Sequence, residues 1–90
     1  MTITVVSGER LMLSRVEFAP HARVPEHAHP HEQFGFVVEG EGSFTIGGET
    51  RHVRAGDYYA IPGGVPHAVV AGPQGGVFMD IFSPPREDYR

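Results

Sequence analysis

The sequence predicts an all-β domain, either a sandwich or a barrel built from short strands. Its apolar residues come in brief runs rich in Val, Ile, Phe and Tyr, which are enriched in strands. The runs recur about every ten residues with turn residues between them. The 12 Gly and 8 Pro leave no long helical period unbroken. We predict strands at residues 3–6, 11–18, 34–38, 44–46, 58–61, 68–71 and 77–82.

Glycine clusters between these runs predict the turns. Gly47 and Gly48 separate two strand-like runs and predict a two-residue hairpin turn. The glycines in residues 40–42 and 72–76 predict two further turns. The tail at residues 84–90 is polar and rich in proline, so we expect it to lie over the surface.

Length, charge and composition exclude several classes of protein. Ninety residues suit one domain, which we assign to residues 1–90. A net charge of −4 argues against nucleic-acid binding, which depends on positively charged side chains that contact phosphates. The lack of Cys excludes disulfides and thiolate sites, and the lack of Lys excludes Schiff-base chemistry. No membrane-length apolar run or signal peptide is visible, so we expect a soluble cytoplasmic protein.

Histidines are concentrated in residues 21–31 and suggest a metal site. His27 and His29 are two residues apart, so on a strand both imidazoles leave the same face and can chelate one ion. Pro30 would end that strand. Gln33 opens the next strand and could supply an oxygen. A solvated histidine-rich loop without metal is the alternative at this point.

A second stretch, residues 56–67, extends the argument. Gly56 and Asp57 predict a turn, residues 58–61 a strand, and residues 62–64 another turn before His67. His67 would then begin a strand and could complete the site that His27 and His29 begin.

These two stretches resemble the paired motifs of the cupin superfamily over about residues 20–72. The first motif, Gly-x5-His-x-His-x3-Glu-x6-Gly, is matched by His27, His29, Gln33 in the glutamate position and Gly40. The second motif, Gly-x5-Pro-x-Gly-x2-His-x3-Asn, is matched by Gly56, Pro62, Gly64 and His67. The resemblance implies a small jelly-roll β-barrel with a metal ion in its mouth, usually in a homodimer.

The same resemblance implies the metal ligands His27, His29, Gln33 and His67. They would hold one divalent transition-metal ion, with Ni, Zn, Fe, Co and Mn all open. Gln33 replaces the usual glutamate, so the charge of the ion would be less compensated and its Lewis acidity stronger. We expect the other two departures, His21 and Ala71, to matter little.

Three further polar residues lie near the motifs and are given lesser roles. Glu32 has the opposite strand parity to Gln33, so we expect it to point away, although it remains the alternative fourth ligand. His31 is expected at the rim of the site. His52 is expected to be exposed on an outer hairpin strand.

The apolar C-terminal run contains one carboxylate, Asp80, on the same strand face as Phe82. Burying a lone aspartate costs several kcal/mol, roughly, unless it is paired or neutral. Asp80 is therefore either an ion-pair partner of Arg86 that fixes the tail or a group that acts as acid or base. Both readings stay open here.

This ending resembles the pectin-degradation cupins that open the ring of 4,5-unsaturated uronates. Those proteins pair a His-Pro-His-Glu-Gln segment, here residues 29–33, with a terminal Asp-x-Phe-x3-Arg-Glu-Asp, here residues 80–88. The resemblance implies that Asp80, Phe82 and Arg86 are catalytic: Asp80 would move the proton, Phe82 pack on the sugar face and Arg86 bind the carboxylate. The products would be linear 4-deoxy-5-keto uronates, from pectin or alginate fragments.

Two other functional classes remain open. One is a different cupin metalloenzyme, such as a dioxygenase or a sugar isomerase; oxygen consumption would distinguish a dioxygenase. The other is a non-catalytic module that binds a small molecule or a metal. For all three classes we expect a small-molecule ligand, no nucleic acid and no membrane partner.

Overall fold

Antiparallel β-strands make up most of this computed structural model, which describes residues 1–89. This confirms the predicted all-β jelly-roll barrel. Within that range, no helix is long and apolar enough to cross a membrane. The strands are β1 (Thr2–Ser7), β2 (Met12–Phe18), β3 (Arg23–His27), β4 (Glu32–Ile46), β5 (Glu49–Arg54), β6 (Tyr58–Ile61) and β7 (His67–Ser83), followed by a 3-10 turn at Glu87–Tyr89.

Two long strands, β4 and β7, pair with each other along both halves of the barrel. The first half of β4 pairs with β6 and with the second half of β7. The second half of β4 pairs with β5 and with the first half of β7, which also pairs with β3. The other edge is completed by β2 on β7 and by β1 on β2. Each long strand therefore belongs to both faces of the barrel.

The turns predicted at residues 40–42 and 72–76 are wrong, because both segments lie inside long strands. The ladder of β4 and β7 shifts register between Val37 and Gly42, as it does where a strand bends from one sheet face to the other. A Cβ on Gly40 would lie 2.3 Å from the carbonyl oxygen of Gly75, so glycine lets the two bent strands approach. The hairpin at Gly47 and Gly48 is confirmed, since Ile46 pairs with Glu49 across it.

His21 occupies a backbone conformation that explains the glycine of the family motif. Its φ is 61°, in the left-handed region that favours glycine. Histidine is among the residues that enter this region more often than most. The backbone N–H of His21 donates a 3.0 Å hydrogen bond to the carbonyl of Gly72, so the turn is closed despite the substitution.

The core lies between the inner faces of the strands. Alternate residues of β2 are buried, as expected for a sheet with one face toward the interior. Phe78 contributes a central ring, which packs edge-on against Phe18 at a centroid distance of 5.2 Å. The buried apolar cluster is Val16, Phe18, Val37, Phe44, Val53, Ile61, Val69, Ala71 and Phe78.

The outer face carries a row of exposed apolar side chains. Leu13 of β2 and Phe34 of β4 are the register partners of Ile81 in β7, and all three are more than a third exposed. Contiguous exposed apolar side chains are typical of an interaction surface. This surface is compatible with the homodimer expected from the family resemblance. The homodimer itself stays a prediction.

Candidate active site

Three histidines from separate segments converge on one point. His27 ends β3 and His67 begins β7, where the two are direct register partners. His29 lies in the loop after β3, so the prediction that it belongs to the same strand as His27 is wrong. The strand ends at His27, so Pro30 lies beyond its end and does not terminate it as predicted. The three nevertheless offer ligand nitrogens that lie within 4.8 Å of one another, close enough to share one metal ion.

Each of these histidines has one ring nitrogen tied to the backbone. In each ring Nδ1 lies at hydrogen-bond distance from a carbonyl oxygen. The distances are 2.9 Å from His27 to Pro25, 3.1 Å from His29 to His31, and 2.9 Å from His67 to Val65. Because a carbonyl can only accept, the proton of the neutral ring is on Nδ1 and the lone pair is on Nε2. Such backbone tethers fix the tautomer and the ring orientation of metal-binding histidines.

Burial favours the neutral form of two of these imidazoles. It lowers the pKa of His67, and it lowers the pKa of His29 with help from the positive charge of Arg86. Neutral imidazole is the form that binds a metal. Nε2 of His67 is also buried without a hydrogen-bond partner in residues 1–89. An unpaired buried acceptor is unfavourable unless a ligand satisfies it, so the three histidines fit a divalent transition metal.

Gln33 connects the histidine cluster to Asp80. Its side chain is buried, with 6% of its surface exposed. Its amide nitrogen donates a 3.0 Å hydrogen bond to Asp80 Oδ1, which directs the amide oxygen toward the histidines. That oxygen lies 3.1 Å from Nε2 of His29. The amide therefore bridges the histidine cluster and the acidic group.

The remaining residues near the motifs lie where the sequence analysis expected them. Glu32 is exposed and points away from the interior. His31 stacks edge-on against His29 with ring centroids 5.3 Å apart and lies outside the converging trio. His52 is exposed on β5, with Nε2 3.5 Å from an oxygen of Glu41.

Asp80 lies on the inner face of β7 and is 6% exposed. Its Oδ1 accepts two hydrogen bonds, one of 2.6 Å from the Tyr59 hydroxyl and one of 3.0 Å from Gln33. Its Oδ2 has no hydrogen-bond partner among residues 1–89. Burial raises the pKa of the Asp80 carboxyl, and the two hydrogen bonds and the charge of Arg86 offset part of this effect. A buried carboxyl with one free oxygen is suited to proton transfer.

Arg86 does not form the ion pair with Asp80 that the sequence analysis left open. Its Nη2 lies 2.7 Å from Asp88 Oδ2, and its Nε donates a 3.2 Å hydrogen bond to Asp88 Oδ1. The pairing lowers the pKa of Asp88. Asp88 is two residues away along the chain, so the ion pair forms within the C-terminal segment that follows β7. Nη1 of Arg86 stays without a hydrogen bond in the described part of the chain.

The C-terminal segment folds back on the cavity instead of lying wholly over the surface. The guanidinium of Arg86 lies 4.1 Å from the ring centroid of Tyr89 and 5.2 Å from that of Phe82. The Arg86 side chain is 12% exposed. One interior cavity is lined by Arg86 and Tyr89 together with His27, Gln33, His67 and Asp80. Arg90, the last residue of the predicted tail, lies outside the described residues.

Three residues of this site were missed from the sequence: Tyr59, Asp88 and Tyr89. Tyr59 was assigned only to a strand. Asp88 and Tyr89 were placed in the polar tail, and Asp88 also in the family ending, but neither was given a role. The spacing of Arg86 and Asp88 could have suggested their pairing. Tyr59 could have been found only from the pairing of β6 with β4, which no local motif reports.

The comparisons with known proteins agree with this geometry. The family model described as a cupin domain matches residues 14–82. The chain belongs to the cupin family. This cupin is 38% identical over 83 residues to the pectin degradation protein KdgF of Dickeya dadantii (strain 3937), covering 91% of this chain and 76% of that protein.

Two solved structures have the same fold as this cupin. KdgF from a Halomonas species aligns with a TM-score of 0.91 at 32% identity, covering 99% of this chain and 81% of the other. An RmlC-like cupin from Shewanella frigidimarina aligns with a TM-score of 0.93 at 36% identity, covering 98% and 79%. The cupin assignment made from the two motifs is confirmed.

Proposed function

We propose that this cupin is a metal-dependent enzyme that opens the ring of 4,5-unsaturated uronates to give linear 4-deoxy-5-keto uronates. One observation carries the proposal: the buried carboxyl of Asp80, with one oxygen unbonded within residues 1–89, shares a cavity with Arg86 and with His27 and His67, two of the three converging histidines. The similarity to KdgF, whose name assigns it to pectin degradation, supports this substrate class.

We propose His27, His29, His67 and Gln33 as the metal ligands. With its proton on Nδ1, His29 presents a lone pair at Nε2, and the amide oxygen of Gln33 presents another 3.1 Å away. Two lone pairs this close repel each other unless both point at a shared cation. Because imidazole and amide oxygen suit several ions, the metal is proposed only as one divalent transition-metal ion.

The reaction is an internal rearrangement that moves one proton. The C1 hydroxyl loses its proton and becomes a carbonyl as the bond from C1 to the ring oxygen breaks. The ring oxygen forms the C5 carbonyl, and the electrons of the C4=C5 bond take a proton at C4. No oxidant, reductant or net water is consumed. The metal, when bound, would polarise and orient oxygen atoms of the sugar.

Asp80 is proposed to move that proton through Oδ2. Its other oxygen is held by two donors, so Oδ2 is the one available to the substrate. Phe82, next along the same face of β7, is 2% exposed and is proposed to pack on the sugar and exclude water. General acid–base groups of this kind contribute about 10²- to 10⁴-fold to a rate.

Arg86 is proposed to bind the substrate carboxylate. Asp88 occupies the Nε–Nη2 edge of the guanidinium, and stacking on Tyr89 fixes its plane, so the Nη1 side is left for a ligand. Planar arginine can bind a carboxylate through two parallel hydrogen bonds, which lysine cannot reproduce.

Arg86→Lys is therefore expected to raise KM for an unsaturated uronate by roughly 10- to 100-fold, the worth of one or two charge-assisted hydrogen bonds. The effect on kcat should be smaller, because lysine keeps the positive charge. Steady-state kinetics would be compared with those of Arg51→Lys, a change at an exposed arginine on β5. An unchanged KM in Arg86→Lys would remove Arg86 from carboxylate binding.

A turnover assay tests the function itself. Purified protein loaded with a divalent metal would be mixed with 4,5-unsaturated galacturonate, and loss of the ultraviolet absorbance of the conjugated C4=C5 bond would be followed. Loss much faster than the spontaneous rate, and abolished by a chelator, is the expected result. Loss at only the spontaneous rate would overturn the proposal and favour an oxygenase, an isomerase or a binding module.

A further inference from the structure

Three neighbouring strands place Tyr59, Gly35 and Asp80 in one row. Gly35 of β4 is the register partner of Tyr59 in β6 on one side and of Asp80 in β7 on the other. Adjacent strands are about 4.8 Å apart, so Tyr59 and Asp80 are separated by a full intervening strand. Their side chains meet over the glycine, where the hydroxyl donates a 2.6 Å hydrogen bond to Asp80 Oδ1.

The missing side chain at Gly35 is what permits this contact. A Cβ built there would lie 2.4 Å from Asp80 Oδ1 and 2.4 Å from Cζ of Tyr59. Gly35 is not among the residues with a positive φ, so its backbone conformation is open to any residue. Glycine is therefore required here for space and not for conformation.

The ring of Tyr59 is fixed by the apolar core. It packs against Phe44 at a centroid distance of 4.4 Å and against Phe78 at 6.4 Å, and both of these rings are buried. A tyrosine held in this way has little freedom to direct its hydroxyl elsewhere. The hydrogen bond from this fixed ring therefore restricts the position of the Asp80 carboxyl group.

We infer that Tyr59 is a positioning residue for Asp80, and that Gly35 provides the space in which it acts. Tyr59 and Gln33 together hold Oδ1, so the carboxyl group cannot rotate freely, and Oδ2 is left without a hydrogen bond within residues 1–89. The effect on turnover rests on the proposed function, whereas the effect on the orientation of the carboxyl group does not.

Kinetics of Tyr59→Phe test the effect on turnover. Phenylalanine keeps the ring packing and removes the hydroxyl, so kcat on an unsaturated uronate is expected to fall by roughly 10- to 100-fold, as for other losses of catalytic positioning. KM and metal content should stay within about twofold. Tyr58→Phe is the matched control, because its hydroxyl is on the adjacent residue and its side chain is 83% exposed.

Crystal structures of the wild type and Tyr59→Phe test the orientation independently of any substrate. The wild type should have a single Asp80 carboxyl orientation with Oδ1 bonded to Tyr59 and Gln33. The variant should have a rotated carboxyl group or more than one orientation. An unchanged single orientation in the variant would overturn the inference, even if the wild type proved inactive on uronates.

Combining the two measurements separates failure of the inference from failure of the proposed function. A wild type without uronate turnover contradicts the function, and the pair of structures still decides on Tyr59. An active wild type with unchanged kcat in Tyr59→Phe contradicts the inference alone. Gly35→Ala provides a second variant: its Cβ should force Tyr59 and Asp80 apart, and an alanine variant with full kcat would also overturn the inference.

Discussion

Asp80→Asn is expected to lower kcat for an unsaturated uronate by about 10²- to 10⁴-fold, the usual contribution of a general acid or base. Asparagine has nearly the same shape, and its Oδ1 can still accept from Tyr59 and Gln33. It cannot take up and release a proton at the position of Oδ2. The chemistry should therefore be lost while substrate binding and the metal site persist. Steady-state kinetics and metal analysis of the purified variant would measure both.

Stability distinguishes this role from a structural one. Burial raises the pKa of Asp80, which means that the folded protein disfavours the charged form. The uncharged amide avoids this desolvation, so the unfolding temperature of Asp80→Asn at neutral pH should be no lower than that of the wild type. Glu32→Gln is the matched control, since the same chemical change is made on an exposed neighbour of Gln33. A variant that loses its metal or unfolds early would indicate that Asp80 mainly supports the structure.

The two motifs predicted the three converging histidines because each motif is a fixed spacing of residues within one short segment. His27, His29 and His67 converge as the two segments implied, even though His29 lies in a loop. His27 meets His67 through the pairing of β3 with β7, whereas the orientation of each ring is local, because its Nδ1 is held by a carbonyl two residues away along the chain. Short-range hydrogen bonds of this kind follow from the sequence with little dependence on the rest of the fold.

Features that depend on strand pairing could not be predicted in the same way. The glycines at residues 40–42 and 72–76 suggested turns, since glycine marks turns and strand bends alike. Only the register of β4 against β7 distinguishes the two cases. Tyr59 reaches Asp80 across β4, through residues 21 positions apart in sequence, and no local pattern encodes that distance.

Arg86 forms a local ion pair where the sequence had suggested a long-range one as an alternative. From the sequence, Asp80 was a candidate partner of Arg86, because a buried carboxylate needs compensation. The structure compensates Asp80 with neutral donors, Tyr59 and Gln33, and pairs Arg86 with Asp88. A local partner and a hydrogen-bonded network together replace the long-range ion pair, and Asp80 and Arg86 still line the same cavity.

Metal loading is expected to have the largest effect on stability. A ligand that binds only the folded state at a hundredfold excess over Kd stabilises it by about 2.7 kcal/mol. For a domain of this size that corresponds to a rise in unfolding temperature of roughly 10–20 °C. Metal-free protein titrated with Ni²⁺ or Zn²⁺ should bind one equivalent and gain stability of this order, and a chelator should reverse the gain. Calorimetric titration and thermal unfolding would measure the two quantities.

His27→Ala should remove most of this gain because it deletes one of the three converging nitrogens. His52→Ala is the matched control: His52 is exposed on β5, faces Glu41 and lies outside the cluster, so its variant should keep the full gain. An equal rise in unfolding temperature in both variants would place the ion elsewhere. A wild type that neither binds one equivalent nor gains stability would contradict the metal site itself. The backbone tethers on Nδ1 would then serve only to satisfy buried rings, and Nε2 of His67 would remain an uncompensated acceptor.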